Sequence, residues 1–241
     1  MQKPSIVLQN VSKSFGKKEV LHDLSLQIEK AEIFGLVGPS GSGKTTLIKL
    51  IAGINQASKG DVFVYNINMP NLNEMKRIGY MAQADALYEE LSAYENADFI
   101  ATMYGLKGKH KKERIKEVFD LVQLSQHMKK QVQHFSGGMK KRLSLAIALL
   151  HEPEILILDE PTVGIDPLLR KTIWGKFYEL KKKGTTIIVT THIMDEAEFC
   201  ERLGLIREGN LVAVGTPEEL KKRVSSGRIE DVFLLEEGVE S

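Results

Sequence analysis

The strongest structural signal in the chain is the segment Gly38-Pro39-Ser40-Gly41-Ser42-Gly43-Lys44-Thr45, which fits the pattern G-x-x-x-x-G-K-[ST]. It follows a short apolar run, Ile33–Val37, and precedes a helix-compatible run from Thr46 to Ala52; this is the strand–loop–helix context that the pattern requires. Glycines let the loop curl so that backbone N–H groups converge on phosphate oxygens, and the following helix adds its positive N-terminal dipole. The segment therefore predicts a phosphate-binding loop; the weaker alternative is an ordinary Gly/Ser turn.

The apolar pattern on either side of this loop predicts an α/β fold. Ile33–Val37, Ile155–Leu158 and Thr185–Thr190 are continuous apolar or β-branched runs, which is typical of parallel strands covered by helices on both faces. Near the amino end, Leu24–Ile28 alternates apolar and polar residues, as half-buried strands do. Between about Leu87 and His151 apolar residues recur at helical spacing. We therefore expect a helical segment inserted into an α/β core that resumes near Ile155.

The composition limits the classes of protein to which the chain can belong. Its 241 residues include 33 Lys+Arg and 32 Asp+Glu, a net charge of +1, which favours neither a nucleic-acid partner nor an acidic tail. The single cysteine, Cys200, and the scattered histidines form no disulfide or zinc framework. Apolar runs fall short of the ~20 residues that span a bilayer, and the first residues lack the apolar run of a secretory signal. We expect a globular, cytosolic chain.

Three side chains at predicted strand ends are candidates for chemistry on a bound nucleotide. Asp159 and Glu160 follow a buried strand, and successive side chains on a strand diverge, so the two can do different jobs. Asp159 would help Thr45 hold Mg²⁺, and Glu160 would activate water, which typically contributes about 10²–10⁴-fold. His192 would donate to the γ-phosphate, while Lys44 would bridge the β- and γ-phosphates. Alone, such carboxylates are more often solvated and such a histidine structural; the phosphate loop favours the functional interpretation.

A second anion site is predicted at Ser136-Gly137-Gly138, ahead of the amphipathic stretch Lys141–Leu150. A hydroxyl, open backbone N–H groups and a helix dipole would meet there. If this helix start cannot reach the nucleotide of the first loop, it must serve the nucleotide of another subunit. The alternative, favoured by these residues alone, is a plain N-cap followed by flexible glycines.

These motifs, in this order, resemble the ATP-binding subunit of an ABC transporter over nearly the whole chain. By that resemblance Gly38–Thr45 is the Walker A loop, Asp159 ends Walker B, Glu160 is the catalytic glutamate and His192 is the switch histidine. Gln83 matches the Q-loop glutamine, expected to touch Mg²⁺ and the attacking water, and Ile165-Asp166 lies in the D-loop at the dimer interface. The implied catalytic set is Glu160, His192 and Gln83, and the implied Mg²⁺ ligands are Thr45, Gln83 and Asp159.

The resemblance also implies a set of ATP-binding residues: Phe15, Gly38, Pro39, Ser40, Gly41, Ser42, Gly43, Lys44, Thr45, Thr46, Ser136, Gly137 and Gly138. Phe15 matches an aromatic that stacks on adenine, with a core phenylalanine as a nearly equal alternative. Two departures stand out. The signature usually reads Leu-Ser-Gly-Gly-Gln, whereas Phe135 and Met139 replace its first and last residues, and Met139 loses an amide near the nucleotide. Ala82 stands where proline is common, which loosens the Q-loop hinge.

The implied architecture is a P-loop NTPase with a RecA-like core, an antiparallel β subdomain and an inserted α-helical subdomain. Its expected boundaries are 1–86 and 154–217 for the core, 87–153 for the helical subdomain and 218–241 for a short extension. Two copies, or the chain and a paired ATPase subunit, would sandwich ATP between Walker A of one and Ser136-Gly137-Gly138 of the other. A groove near Gln83–Leu91 would receive a helix of a membrane permease.

The resemblance places the chain at the cytoplasmic face of the cell membrane as a peripheral subunit. The tail Arg228–Leu234 is similar to that of ATPases serving ABC-2-type exporters of drugs, lipids or polysaccharides, and no nucleic-acid partner is expected. Two other classes remain as alternatives. A soluble ABC ATPase acting on DNA or ribosomes usually carries two nucleotide domains or a long coiled coil, and a P-loop kinase would leave His192 and the signature unexplained.

Overall fold

A computed structural model describes residues 3–83 and 86–235 of the chain. Its larger sheet has the strand order β10-β9-β3-β8-β7-β6. Five of these strands run parallel, and β10 pairs antiparallel with β9. The strands of this sheet are β3 (Ile33–Val37), β6 (Ile78–Met81), β7 (Ile155–Asp159), β8 (Thr186–Thr191), β9 (Arg202–Arg207) and β10 (Asn210–Gly215).

The three central strands are buried along their whole length, which explains their continuous apolar sequences. Every residue of β3, β7 and β8 is buried, because helices cover both faces of a parallel sheet. These are the three runs from which the sequence predicts a parallel core, and that prediction is confirmed. Their carboxyl ends meet at one edge, where α/β sheets assemble their sites.

The smaller sheet is antiparallel and has the order β2-β1-β4-β5. Its strands are β1 (Ile6–Phe15), β2 (Lys18–Ile28), β4 (Lys59–Val64) and β5 (Ile67–Asn68). The alternating run Leu24–Ile28 lies in β2, and its leucine and isoleucine side chains are buried while Ser25 and Gln27 are exposed. Leu8, Leu26 and Val62 of this sheet join one apolar cluster with Phe34 of the core, so the two sheets share a hydrophobic interior.

Helices cover the core and fill the insertion between β6 and β7. The described helices are α1 (Lys44–Ile51), α2 (Leu72–Met75), α3 (Ala93–Met103), α4 (Gly108–Leu121), α5 (Gly137–Leu149), α6 (Pro167–Lys182), α7 (Met194–Ala197), α8 (Pro217–Lys221) and α9 (Ile229–Leu235). The insertion holds α3, α4 and α5, whose buried residues share one cluster with the core strands. Among the described residues, no helix combines the length and the apolar composition needed to cross a bilayer.

Two local features near the end of the chain follow from their sequences. A two-residue turn, Glu208-Gly209, joins β9 to β10, and both residues have positive φ, as the commonest hairpin turns require. Helix α8 begins at Pro217, and Thr216 and Glu219 form a capping box. Parts of three predicted regions, the core segment 1–86, the groove Gln83–Leu91 and the extension 218–241, lie outside the described residues.

Candidate active site

The predicted phosphate loop connects β3 to α1 at the carboxyl edge of the larger sheet. Gly43 precedes the helix with φ of 107°, a conformation that favours glycine because it lacks a Cβ. A Cβ on Gly38 would lie 2.1 Å from the carbonyl oxygen of Ile206. Gly43 is therefore required by its backbone angle, and Gly38 by close packing. The segment has these specific requirements in addition to being a Gly/Ser-rich turn.

Lys44 spans the phosphate loop from within. Its ammonium donates to the carbonyl oxygens of Gly38 at 2.7 Å and Pro39 at 2.9 Å. Burial lowers the pKa of Lys44, and the carboxylates of Glu160 and Asp159 oppose that shift. The loop therefore holds a buried cation between its own carbonyl groups and two acidic side chains.

A cleft of about 340 Å³ lies beside this loop. The predicted residues that line it are Ser40, Gly41, Gly43, Lys44, Thr45, Thr46, Gln83 and Glu160. Val20 of β2 also lines it, and sequence reasoning missed this residue because a valine in a strand carries no chemical signal. Gly38, Pro39 and Ser42 belong to the loop but not to the lining, and the Ser42 side chain is buried.

Asp159 contacts Thr45 of the cleft lining and is almost wholly buried. It accepts hydrogen bonds from the hydroxyl of Thr45, at 2.8 Å, and from that of Thr190, at 2.5 Å. Burial and, second, the charge of Asp159 raise the pKa of the neighbouring Tyr80 to about 12. Thr190 was not among the predicted site residues; it faces Asp159 through the register of β7 against β8.

Glu160 connects the cleft to two further predicted residues. His192 Nδ1 lies 2.8 Å from Glu160 Oε1, and the amide of Gln83 donates to Glu160 Oε2 at 3.4 Å. The backbone N–H of Glu160 donates to the Thr190 hydroxyl at 3.0 Å. The structure thus brings together the catalytic set expected from the sequence, from the ends of three different strands.

Phe15 lies at the end of β1 and is 50% exposed. The Lys13 ammonium lies 4.9 Å from the centroid of its ring, a distance typical of a cation–π contact. The alternative of a core phenylalanine is therefore wrong. An exposed ring is available for stacking.

The second predicted anion site, Ser136-Gly137-Gly138, begins helix α5. The hydroxyl oxygen of Ser136 accepts a hydrogen bond from the backbone N–H of Met139 at 3.3 Å. Ser136 is therefore the N-cap of α5, and its hydroxyl proton remains available for donation. Ser136 and Gly137 are exposed, and none of the three residues lines the cleft beside the phosphate loop. The two helix starts are thus separate features of the chain.

Comparisons with known proteins agree with this geometry. The family model described as "ABC transporter" matches residues 21–163. The linearmycin resistance ATP-binding protein LnrL of Bacillus subtilis is 41% identical over 92% of this chain and 72% of its own length. The probable multidrug ABC transporter ATP-binding protein YbhF of Escherichia coli is 39% identical over 90% of this chain, which spans only 38% of that protein.

The chain belongs to the ABC transporter family. It is an ATP-binding, ATP-hydrolysing subunit of that family, and the fold expected from the resemblance is confirmed. A solved structure described as a dimeric post-hydrolysis state of the ATP-binding cassette MJ0796 bound to ADP and Pi superposes with a TM-score of 0.82, at 27% identity, covering 88% of this chain and 98% of that one.

In this ABC ATPase, Met139, which replaces the usual glutamine of the signature, has a clear packing role. Its side chain is partly buried and packs against the main apolar cluster, which includes Phe135. Both replacements in the signature are therefore apolar residues that add to the packing beneath α5. Ser136 and Gly137 remain exposed, and Gly138 is partly buried.

Proposed function

We propose that this ABC ATPase powers an exporter of drugs, lipids or polysaccharides, bound to a membrane permease at the cytoplasmic face of the cell membrane. Two relatives are named for linearmycin resistance and for multidrug transport, which supports an export role. Apart from Arg228, the stretch Arg228–Leu234 lies in α9, and we assign it, like the tails it resembles, to ABC-2-type exporters.

The phosphate loop would bind the triphosphate of ATP. Backbone N–H groups near Gly41 and Gly43 and the dipole of α1 would surround the phosphate oxygens. Lys44 would exchange its two carbonyl partners for the β- and γ-phosphates, which are stronger, charged acceptors. The exposed ring of Phe15 would stack on adenine, and Thr46 would complete the loop.

The donor set suits Mg²⁺, which prefers oxygen ligands and usually combines one or two carboxylates with phosphates and water. Thr45 and Asp159 already present oxygens 2.8 Å apart, and the described residues contain no group of three acidic, His or Cys side chains that would form an all-protein cage. Thr45, Asp159 and Gln83 would hold the ion. When bound, it would neutralise charge on the phosphates.

Glu160 would act as the general base for hydrolysis. As the water oxygen attacks the γ-phosphorus, its proton passes to the Glu160 carboxylate, and the bond from the γ-phosphorus to the bridging oxygen breaks to release ADP. Gln83 would orient the water. His192, with Nδ1 towards Glu160, would hold that carboxylate and donate to the γ-phosphate through its other nitrogen.

The observation that carries the proposal is the separation of the two anion-binding helix starts. Ser136 and Gly137 are exposed and lie outside the cleft that Lys44 lines. A helix start with open N–H groups and a hydroxyl proton available for donation can supply half of an anion site. A second copy, or a paired ATPase subunit, would supply the nucleotide, as expected for an ATP-driven dimer.

The permease would dock on the helical insertion beside the Q-loop. Tyr88, Phe99 and Met103 are 50%, 43% and 69% exposed, respectively, and the rings of Tyr88 and Phe99 meet edge to face at 5.4 Å. Exposed apolar surface of this kind marks an interaction site. A movement of the docked permease would be transmitted along the chain to Gln83.

The first test is Glu160→Gln. This variant should bind ATP with nearly the parent affinity, because the phosphate loop is untouched, while kcat falls about 10²–10⁴-fold. Glu113→Gln, an exposed residue of α4, is the matched control and should retain full turnover. ATPase activity within a few-fold of the parent in Glu160→Gln would exclude Glu160 as the base.

The second test separates a transporter subunit from a soluble ATPase. When cells are fractionated, the chain should be found with membranes and should leave them when its permease is deleted. Recovery with ribosomes or DNA, whether or not the permease is present, would contradict the transport role.

A further inference from the structure

A buried carboxylate that takes no part in nucleotide binding lies behind the catalytic residues. Glu196, in the short helix α7, is 0% exposed and does not line the cleft beside the phosphate loop. A buried charge is costly unless it is paired and hydrogen-bonded. The partners of Glu196 therefore indicate which parts of the structure it stabilises.

Both oxygens of Glu196 accept hydrogen bonds from threonine hydroxyls. Thr162 donates to Oε1, and Thr191 donates to Oε2 at 3.0 Å. The Thr191 hydroxyl also accepts the backbone N–H of Ile193 at 2.9 Å. Its proton has the Glu196 carboxylate at 3.0 Å and the Ile193 carbonyl oxygen at 3.4 Å as acceptors, and the carboxylate is the nearer. Two hydroxyl donors thus meet the two oxygens of one carboxylate.

These two threonines belong to the segments that carry the catalytic pair. Thr162 follows Glu160 by two residues, and Thr191 directly precedes His192. Glu160 has φ of 51°, a left-handed conformation that typically costs a non-glycine residue about 1–3 kcal/mol and persists only where its surroundings fix it. Glu196 ties the chain just beyond that residue to the chain just before His192.

A third segment joins the same carboxylate. Arg170 of α6 has its Nε 3.6 Å from Glu196 Oε1, and its guanidinium donates to the carbonyl oxygen of Ile165 at 3.5 Å. The neighbouring Gly164 carbonyl oxygen lies 3.5 Å from the position that a Cβ on Gly138 would take. The polar contacts therefore run from the segment before His192, through Glu196 and Arg170, to Ile165 of the D-loop.

We propose that Glu196 is a positioning residue for ATP hydrolysis: its buried carboxylate fixes the Glu160 and His192 segments at the spacing at which Glu160 Oε1 and His192 Nδ1 meet. This inference rests on the proposed roles of Glu160 and His192. Glu196 acts through those residues and does not touch the nucleotide.

Glu196→Gln tests the proposal directly. The substitution replaces one of the two carboxylate oxygens by an NH2 group, so only one of the two hydroxyls keeps its acceptor in place, and the charge facing Arg170 is lost. We expect kcat for ATP hydrolysis to fall about 10- to 100-fold, as small misplacements of catalytic groups do, while KM for ATP stays within about twofold. A variant with parental kcat would overturn the proposal.

Threonine variants give the same test without changing the buried charge. Thr162→Val removes one donor and should lower kcat about tenfold, in line with a misplaced catalytic group, whereas Thr162→Ser keeps the hydroxyl and should recover most of the activity. Thr172→Val, which removes a hydroxyl bonded only to Leu168 in α6, is the control and should match the parent. Equal losses in Thr162→Val and Thr162→Ser would assign the effect to packing and contradict the proposal.

A double-mutant cycle separates positioning from general destabilisation. If Glu196 acts through His192, then Glu196→Gln in a His192→Ala background should lower kcat no further, because coupled residues give non-additive effects. Additive losses would overturn the inference. The proposed function fails separately: it is contradicted if Glu160→Gln and His192→Ala both keep their turnover, whatever the Glu196 variants do.

Discussion

Helices α1 and α5 both begin at glycine-rich segments that we propose bind anions, and the two helix starts differ in almost every other respect. The start of α1 is capped by Gly43, without a side-chain hydrogen bond, and lies in a cleft with a buried lysine and two carboxylates. The start of α5 is capped by the Ser136 hydroxyl and is exposed. One end is surrounded by catalytic groups of its own chain, and the other is open to a partner.

Under the proposed function, this difference lets one chain contribute to two sites. The groups proposed to bind and hydrolyse the nucleotide lie around α1. The α5 start would supply only a cover for the γ-phosphate of another chain, and the charged side chains near it, Lys140 and Glu89, pair with each other. Division of these features between two helix ends would make each chain dependent on another for a complete site.

Among the substitutions at the two helix starts, the largest effect is expected at Lys44. Lys44→Ala should lower ATP affinity about 10- to 100-fold, because hydrogen bonds to charged groups contribute about 1.5–3 kcal/mol. Lys49→Ala, in the last turn of the same helix, is the control and should bind normally. Equilibrium dialysis measures both. Unchanged binding in Lys44→Ala would mean that the α1 start is not the primary nucleotide site.

A smaller effect compares one glycine from each helix start. Gly43→Ala places a side chain at φ of 107°, 2.7 Å from Leu21 Cδ2, and should lower the free energy of unfolding by about 1–3 kcal/mol. Gly137→Ala meets no atom within 4 Å and has no left-handed φ, so its change should stay within about 1 kcal/mol. Urea unfolding measures both values. Similar losses would contradict the assignment of the α5 start to open surface.

Local sequence patterns were sufficient for the phosphate loop and for its neighbouring strand. Ile33–Val37 is the observed β3, and Asp159 ends β7 as expected. Continuous apolar runs and glycine spacing report on local burial and backbone angles, and these features need no knowledge of distant contacts.

The residues that pack around the site could not be predicted from the sequence in the same way. Thr190 faces Asp159 only because β8 lies beside β7 in a fixed register, and Val20 reaches the cleft from the other sheet. The hydrogen bond between Thr162 and Glu196 joins a loop after β7 to helix α7, and the two residues are 34 positions apart in sequence. Contacts of this kind arise from tertiary packing, and threonine, valine or a single helical glutamate gives no pattern that points to them.

Light scattering of Glu160→Gln with Mg-ATP tests most directly whether the α5 start completes the site of another chain. ATP is not consumed by this variant, so the chain should shift from monomer to dimer with ATP and stay monomeric with ADP, which lacks the γ-phosphate. Adding Ser136→Arg should abolish the shift while monomer ATP binding stays near normal, and Asn73→Arg, on exposed helix α2, should leave it intact. A dimer that forms with ATP despite Ser136→Arg would contradict the claim.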